Sequence, residues 1–305
     1  MRKRVVALAV LALGTLAALG VFFFGVVRDI SSPPRRVPAA EVAREAPKPI
    51  VRIGVISRFE PTVIYQGYQP IMDYLSSAGP YTFELKLGSS YRQTVEDLVN
   101  GRVAAAFLGT FIYTEAHEKF GVVPILKPLN ERYEPTFHVV VIARADSPIA
   151  SIADLRGKTL ALPSPESFSG NWMTEVAFAR YGLSRGELRA IQYFEHHHTV
   201  VFQVLRGSFD AGVVKDRVAA EYQGRGIKAI ASSEPIPGSP VVVAGRADPQ
   251  VTAFLIRALL AVDPRRAEYA DTVRNWDQEF THGFAVARDQ DYNEVRKLMA
   301  TGGTR

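Results

Sequence analysis

Short apolar or alternating runs recur at Val51 to Ile56, Tyr81 to Leu87, Val103 to Leu108, Val122 to Leu126 and Phe137 to Ala143, and each predicts a strand. Between them, Pro70 to Ser76, Thr94 to Asn100 and Ile112 to Lys119 carry helical spacing. The same grammar resumes after residue 150, with strands near Thr159 to Leu162, Ala190 to Phe194, Ala211 to Val214 and Ile227 to Ala231. An amphipathic helix is expected over Asn171 to Tyr181. Strand and helix therefore alternate, which predicts an α/β fold of two similar lobes. A weak internal repeat supports the pairing: Thr94-Val95 through Leu98, Gly101 and Val103 parallels Thr199-Val200 through Val204, Gly207 and Phe209. Each copy reads as a helix stopped by a glycine and followed by a buried strand.

The first residues follow a different pattern. Arg2-Lys3-Arg4 precedes an uncharged, mostly apolar run from Val5 to Val27, long enough to span a bilayer as a helix. A cleaved signal peptide is the competing reading. Its apolar core is usually about 7–15 residues and ends at a small-x-small site, whereas this run continues through Phe22-Phe23-Phe24. The expectation is an uncleaved anchor over residues 1–27, with the basic cluster in the cytoplasm and the rest of the chain outside, in a bacterium the periplasm. Residues 28–49 hold Pro33, Pro34, Pro38, Pro47 and Pro49 among scattered charges, the composition of an extended linker.

Charge changes the picture only when it is located. Lys and Arg total 36 against 31 Asp and Glu, but residues 1–50 hold eight basic and three acidic side chains, leaving 28 against 28 beyond them. A neutral body without a basic, aromatic-interleaved stripe argues against nucleic acid as a partner. Zero cysteines excludes disulfides, thiolate catalysis and a lipid attached to an N-terminal Cys.

Candidate chemistry clusters at the predicted strand ends, where open α/β sheets collect ligands. Ser167-Phe168-Ser169-Gly170 lies between a strand and a helix, and the unpaired N–H groups of a helix start favour an anion. Such serines serve equally as helix caps. Ser57 and Arg58 follow the first strand, Tyr91 the second, and Gly109-Thr110 the third, just before a helix bearing Tyr113. In the second half, His196-His197-His198-Thr199 and Lys215-Asp216 hold the equivalent places. Most of these are neutral donors, suited to a dehydrated oxyanion, while a carboxylate such as Asp216 would select a protonated oxygen or an amine. Taken singly, Thr110 and Thr199 read as caps, Tyr91 and Tyr113 as packing residues, and Arg58 as solvated. Three adjacent histidines point in different directions on any regular element, so no metal site is expected. No nucleophile elbow, phosphate-binding Gly-Lys loop, His-Glu-x-x-His or dinucleotide fingerprint is present, and neither catalysis nor a cofactor is expected.

From about Ile53 onward these residues resemble the periplasmic solute-binding proteins of phosphate, phosphite and phosphonate ABC transporters. The resemblance rests on Ile53-Gly54-Val55, Gln69-Pro70 with Tyr74-Leu75, Leu108-Gly109 with Tyr113, Asp146-Ser147-Pro148, Asp154-Leu155-Arg156-Gly157-Lys158, the serine loop, His197 with Thr199, Asp210-Ala211-Gly212, and Gly283-Phe284 with Asp291-Tyr292. It implies a type II periplasmic binding protein fold with two hinge strands, near Phe137 to Ala143 and Val241 to Ala244. Lobe 1 would comprise residues 51–140 and 241–305, and lobe 2 residues 141–240. It also implies ligand contacts from Ser167, Ser169 and Gly170, from Tyr91, and from His197 and Thr199, with an ABC permease as partner. Phe168 and Thr110 depart from the usual Ser-Thr-Ser-Gly and Gly-Pro patterns, which leaves the anion open. The alternative expectation is a tethered sensory module for another oxyanion, such as a sulfur oxyanion, signalling to a partner protein.

Overall fold

The computed structural model describes residues 14–17, 19–23 and 47–302. Residues 14–17 and 19–23 are helical, and no helix among the described residues is long and apolar enough to cross a membrane. Most of the expected anchor and most of the expected linker lie outside the described residues. Residues 48–305 form one compact unit.

Within that unit the alternation follows the apolar pattern closely. Lobe 1 contains β1 (Ile50–Val55), α1 (Pro61–Ala78), β2 (Thr82–Leu87), α2 (Tyr91–Val99), β3 (Ala105–Phe107), α3 (Thr110–Phe120) and β4 (Val123–Pro128). After β5 (Thr136–Phe137) the chain enters lobe 2 with β6 (Val139–Arg144), β7 (Thr159–Leu162), helix α4, β8 (Ala190–Tyr193), α5 (His197–Leu205), β9 (Ala211–Lys215), α6 (Asp216–Glu221) and β10 (Ile227–Ser232). Helix α4 is continuous through Phe168–Asn171, a π-helical stretch Trp172–Ala177, and Phe178–Arg180. The chain returns through β11 (Ile236–Pro237) to β12 (Val241–Val243), α7 (Pro249–Ala261), α8 (Ala267–Val273), β13 (Phe284–Val286) and α9 (Asn293–Gly302).

Six strands in the order β13-β4-β12-β3-β1-β2 make one sheet, and five in the order β10-β6-β9-β7-β8 make the other. In each sheet the helix-linked strands run parallel, as βαβ crossovers require, and the returning strands pair antiparallel. The repeat seen in the sequence is structural: Gly101 and Gly207, at φ 71 and 76, end α2 and α5 in the left-handed conformation before β3 and β9. Between the sheets β5 and β11 pair antiparallel as a ribbon. The stretches expected to be hinge strands are instead mostly sheet strands, because β6 and β12 are apolar and buried enough to join the sheets. The crossing is made by the two short segments just before them.

Helix α1 begins at Pro61, well before the expected start at Pro70, and buries Ile64, Tyr68, Ile71, Met72 and Leu75 along one face. Pro61 sits in the first turn, where its missing N–H is harmless, while Pro70 lies inside the helix. One apolar core runs across both lobes on the α1, α5 and α7 side. Two further cores fill the opposite faces. Helix α9 belongs to lobe 1 by chain order yet buries Val295 in the lobe 2 core beside α4.

Candidate functional site

The carboxyl ends of the parallel strands of both sheets point toward the ribbon, and the candidate residues lie there. Ser167 caps α4: its Oγ accepts from Gly170 N–H at 3.0 Å and donates to Ser164 O at 2.8 Å. Ser169 is buried beside it. Gly170 is required, because a Cβ there would lie 2.4 Å from Ser164 O and 2.8 Å from Pro163 O. Phe168 turns inward and meets the ring of Phe137 edge-on, 6.2 Å between centroids, so it seats the loop on the ribbon and offers nothing to a solute.

From lobe 1, Tyr91 opens α2 and is buried, and its hydroxyl pKa is pushed up by burial against the lowering field of Arg58. Thr110 opens α3, but its hydroxyl donates to Pro237 O of β11 at 3.0 Å, tying the helix to the ribbon. Tyr113 lies elsewhere than expected. It is buried inside lobe 1, packs on Tyr292 at 4.6 Å, and donates to Asp289 at 2.6 Å, because its side chain faces the turn before α9. Ser57 sits half-buried in the turn after β1, and Thr199 half-buried in the first turn of α5.

The three histidines diverge. His196 faces Glu60 at 3.5 Å, His198 faces Glu221 at 2.9 Å, and His197 is buried against Lys215. Among the described residues no group of three or more metal-ligating side chains is arranged to hold an ion. The Lys215 N–H reaches His197 Nδ1 at 3.3 Å, so Nδ1 accepts and Nε2 carries the proton of a neutral ring. Burial, reinforced by Lys215, Arg58 and Arg217, holds this imidazole well below its ordinary pKa. Asp216 borders a cavity beside Lys215 and is also engaged by the backbone. Its two oxygens accept from His138 N–H at 2.7 Å and Arg217 N–H at 2.8 Å, which fixes the start of α6 to the strand entering lobe 2.

The charged centre of the interlobe boundary joins Arg58 and Lys215, both expected at strand ends, to Glu279, which was not. Arg58 and Glu279 of lobe 1 and Lys215 of lobe 2 are all buried. Glu279 Oε2 pairs with Arg58 Nη1 at 2.8 Å, and Glu279 Oε1 accepts from Lys215 Nζ at 2.5 Å. Ser239, just after the ribbon, accepts from Arg58 at 3.3 Å and Lys215 at 3.4 Å, and Arg58 also donates to the Tyr68 hydroxyl. Arg217 pairs with buried Asp277 at 3.2 Å. Burial opposes ionisation of Glu279, but Arg58 and Lys215 outweigh it and hold the carboxyl near pKa 2. Lys215 is lowered by burial, with Glu279 opposing. Arg58 and Lys215 are marked in the sequence by their places after predicted strands. Glu279 lies in a turn with no local pattern to mark it.

Further contacts close the boundary. Arg92 of α2 donates to Glu166 of the serine loop at 2.7 Å, and Phe111 of α3 packs against the lobe 2 core. A cavity of about 470 Å³ borders Lys215, Asp216, Arg217, Phe137, His138 and Glu279, and none of Tyr91, Thr110, Ser167 or His197 lines it.

Two α/β lobes joined by a two-stranded ribbon, with polar residues gathered between them, define a periplasmic binding protein of type II. More narrowly, the chain belongs to the family of periplasmic substrate-binding proteins of phosphonate ABC transporters, whose sequence model matches residues 53–292. Solved structures share the fold. A binding protein component of an ABC phosphonate transporter from Pseudomonas aeruginosa superposes with a TM-score of 0.71 at 18% identity, covering 82% of this chain and 85% of that one. A protein of Prochlorococcus marinus in complex with methylphosphonate gives 0.72 at 15% identity, covering 83% and 97%. A Xanthomonas citri protein bound to ATP gives 0.65 at 21% identity, covering 83% and 96%.

Proposed function

We propose that this protein captures a small oxyanion, phosphate, phosphite or a phosphonate, between its lobes in the periplasm and presents it to an ABC permease, without catalysing a reaction. The observation that carries this reading is that one ribbon residue, Phe137, meets both Phe168 of the serine loop and the ammonium of buried Lys215, which is joined through Glu279 to Arg58 of lobe 1. The Ser169 hydroxyl and the N–H groups at the start of α4 would hold oxygens from lobe 2, with Ser167 and Gly170 shaping the loop. Tyr91 would donate from lobe 1 and neutral His197 from lobe 2, and Arg58 and Lys215 would supply the countercharge. Closure follows from contacts made to both lobes at once, which only the closed state supplies. The run Val5 to Val27 would tether the protein to the inner membrane, a part of the reading supported by sequence alone and tested by membrane fractionation of the full chain.

A thermal-shift screen of residues 48–305 against phosphate, phosphite, methylphosphonate, sulfate and thiosulfate tests the reading. An anion at 100 times its dissociation constant should stabilise the fold by about 2.7 kcal/mol. A shift with phosphorus oxyanions supports it. A shift with sulfur oxyanions alone would favour the sensory alternative, and no shift with any of the five would remove the reading.

A further inference from the structure

Glu279 is bound as a solute would be. Its carboxylate gives one oxygen to a cation of each lobe, Oε2 to Arg58 at 2.8 Å and Oε1 to Lys215 at 2.5 Å, at the ends of β1 and β9. A tetrahedral oxyanion offers the same pair of oxygens and would bridge the lobes in the same way. Three buried or nearly buried cations, Arg58, Lys215 and Arg217, are balanced by three carboxylates, Glu279, Asp277 and Asp216, so moving Glu279 out of its seat leaves a positive excess that an incoming anion offsets. Among the described residues the Nε atoms of Arg58 and Arg217 are buried without a hydrogen-bond partner, and Glu279 Oε2, though 2.8 Å from Arg58 Nη1, meets it without hydrogen-bond geometry, so the carboxylate fills the seat imperfectly. An unmet buried donor is costly, and an anion is the natural way to meet it.

The backbone that carries Glu279 is fixed while its side chain has somewhere to go. Asp277 N–H donates to Gly67 O at 2.9 Å, and Glu279 N–H donates to Asp277 Oδ1 at 3.0 Å, so the turn is pinned to α1. A Cβ at residue 67 would lie 2.8 Å from the Asp277 Cβ, so glycine permits this close approach. Beside the carboxylate lies the cavity of about 470 Å³, lined by Glu279 itself and by Gln278, Thr281, His282 and Ala220. That space is ample for a rotated carboxylate and its water.

Resting on the reading above, we propose that Glu279 is an internal stand-in for the ligand: it holds the anion seat between Arg58 and Lys215 in the unliganded protein, and an incoming phosphorus oxyanion displaces it into the adjoining cavity. The stand-in lets the lobes close without a solute and lowers apparent affinity by competition. It sets a threshold that weak or monodentate anions do not pass.

The test is calorimetric titration of residues 48–305 with methylphosphonate and inorganic phosphate, in the parent, Glu279→Gln, Glu279→Asp and Ala220→Phe. Glu279→Gln should bind about tenfold tighter or better, since the competent fraction rises when the competitor is removed. Glu279→Asp, whose shorter side chain reaches only one lobe, should fall between, and it serves if the Gln variant does not fold. Ala220 is exposed on the cavity rim, so Ala220→Phe should fold normally, fill the space for the displaced carboxylate, and weaken binding about tenfold. Parent binding with unchanged or weaker affinity in both Glu279 variants would overturn the proposal and leave the binding function standing. Unchanged affinity in Ala220→Phe would overturn displacement into the cavity. Absence of binding in the parent and every variant would remove the binding function and this inference together.

Discussion

Replacing Lys215 by methionine isolates the charge that joins lobe 2 to lobe 1, because the methionine fills much of the same space without the ammonium. The Nζ to Oε1 separation of 2.5 Å corresponds to about 7 kcal/mol of attraction at an effective dielectric of about 20. Most of that is offset by the several kcal/mol needed to bury an ammonium, and by its repulsion from Arg58. Glu279 keeps Arg58 as a partner, so the net loss should be about 3 kcal/mol, the low end of the range for breaking a buried pair. For a unit of this size that is a fall in melting temperature of about 6–12 °C. Differential scanning calorimetry of residues 48–305 reads it directly. The companion measurement is the double variant with Glu279→Gln, where coupling of about 2–3 kcal/mol is expected because the two side chains touch. A melting point unchanged within about 1 °C, or strictly additive single effects, would refute the claim that this pair is energetically joined.

Other outcomes follow from the same geometry. Tyr113→Phe should cost about 1–2 kcal/mol in urea unfolding, through loss of its bond to Asp289, and leave anion affinity unchanged; a tenfold loss of affinity would return Tyr113 to the binding residues. Gly170→Ala should abolish a ligand-induced thermal shift, because the new methyl group collides with Ser164 O and moves the loop; a parent-like shift would contradict that placement. Arg92→Ala should change folding stability by less than about 1 kcal/mol, since the arginine is mostly exposed, while small-angle scattering of the variant should report a larger open fraction. The pH dependence has a definite sign. His197 stays neutral when folded because burial and Lys215 depress its pKa, whereas the unfolded chain takes up the proton near pH 6.5. Stability should therefore decline as pH falls below about 6.5, with a contribution of up to about 1.4 kcal/mol per unit, and His197→Asn should flatten that slope in unfolding curves.

Much of the architecture was legible because most strands of the two sheets are short apolar runs and the helices between them keep their own period. Val139 to Ala143 announces a buried strand by composition alone. The ribbon did not announce itself: Thr136–Phe137 and Ile236–Pro237 are two residues each, too short for any periodicity. The serine loop was legible as a strand-to-helix turn, and the collision awaiting a Cβ at Gly170 gives a physical reason for its glycine. The charged centre was legible only in part, since Arg58 and Lys215 stand at predicted strand ends and Glu279 carries no such mark. Arg58 looks like a solvated side chain until Tyr68, ten positions on, and Glu279, far along the chain, are folded against it. Lys215 and Asp216 are neighbours, and only the fold reveals which one faces the other lobe. Tyr113 misled for the converse reason, since its place one turn after a strand end is open to both a cleft and a core position.

A crystal structure of residues 48–305 soaked with the anion that gives the largest thermal shift tests the central claim most directly. The phosphorus atom should lie between the lobes, with its oxygens within hydrogen-bond distance of the α4 start and of Arg58 or Lys215. An anion seated on an outer surface, with the serine loop, Arg58 and Lys215 untouched, would contradict it.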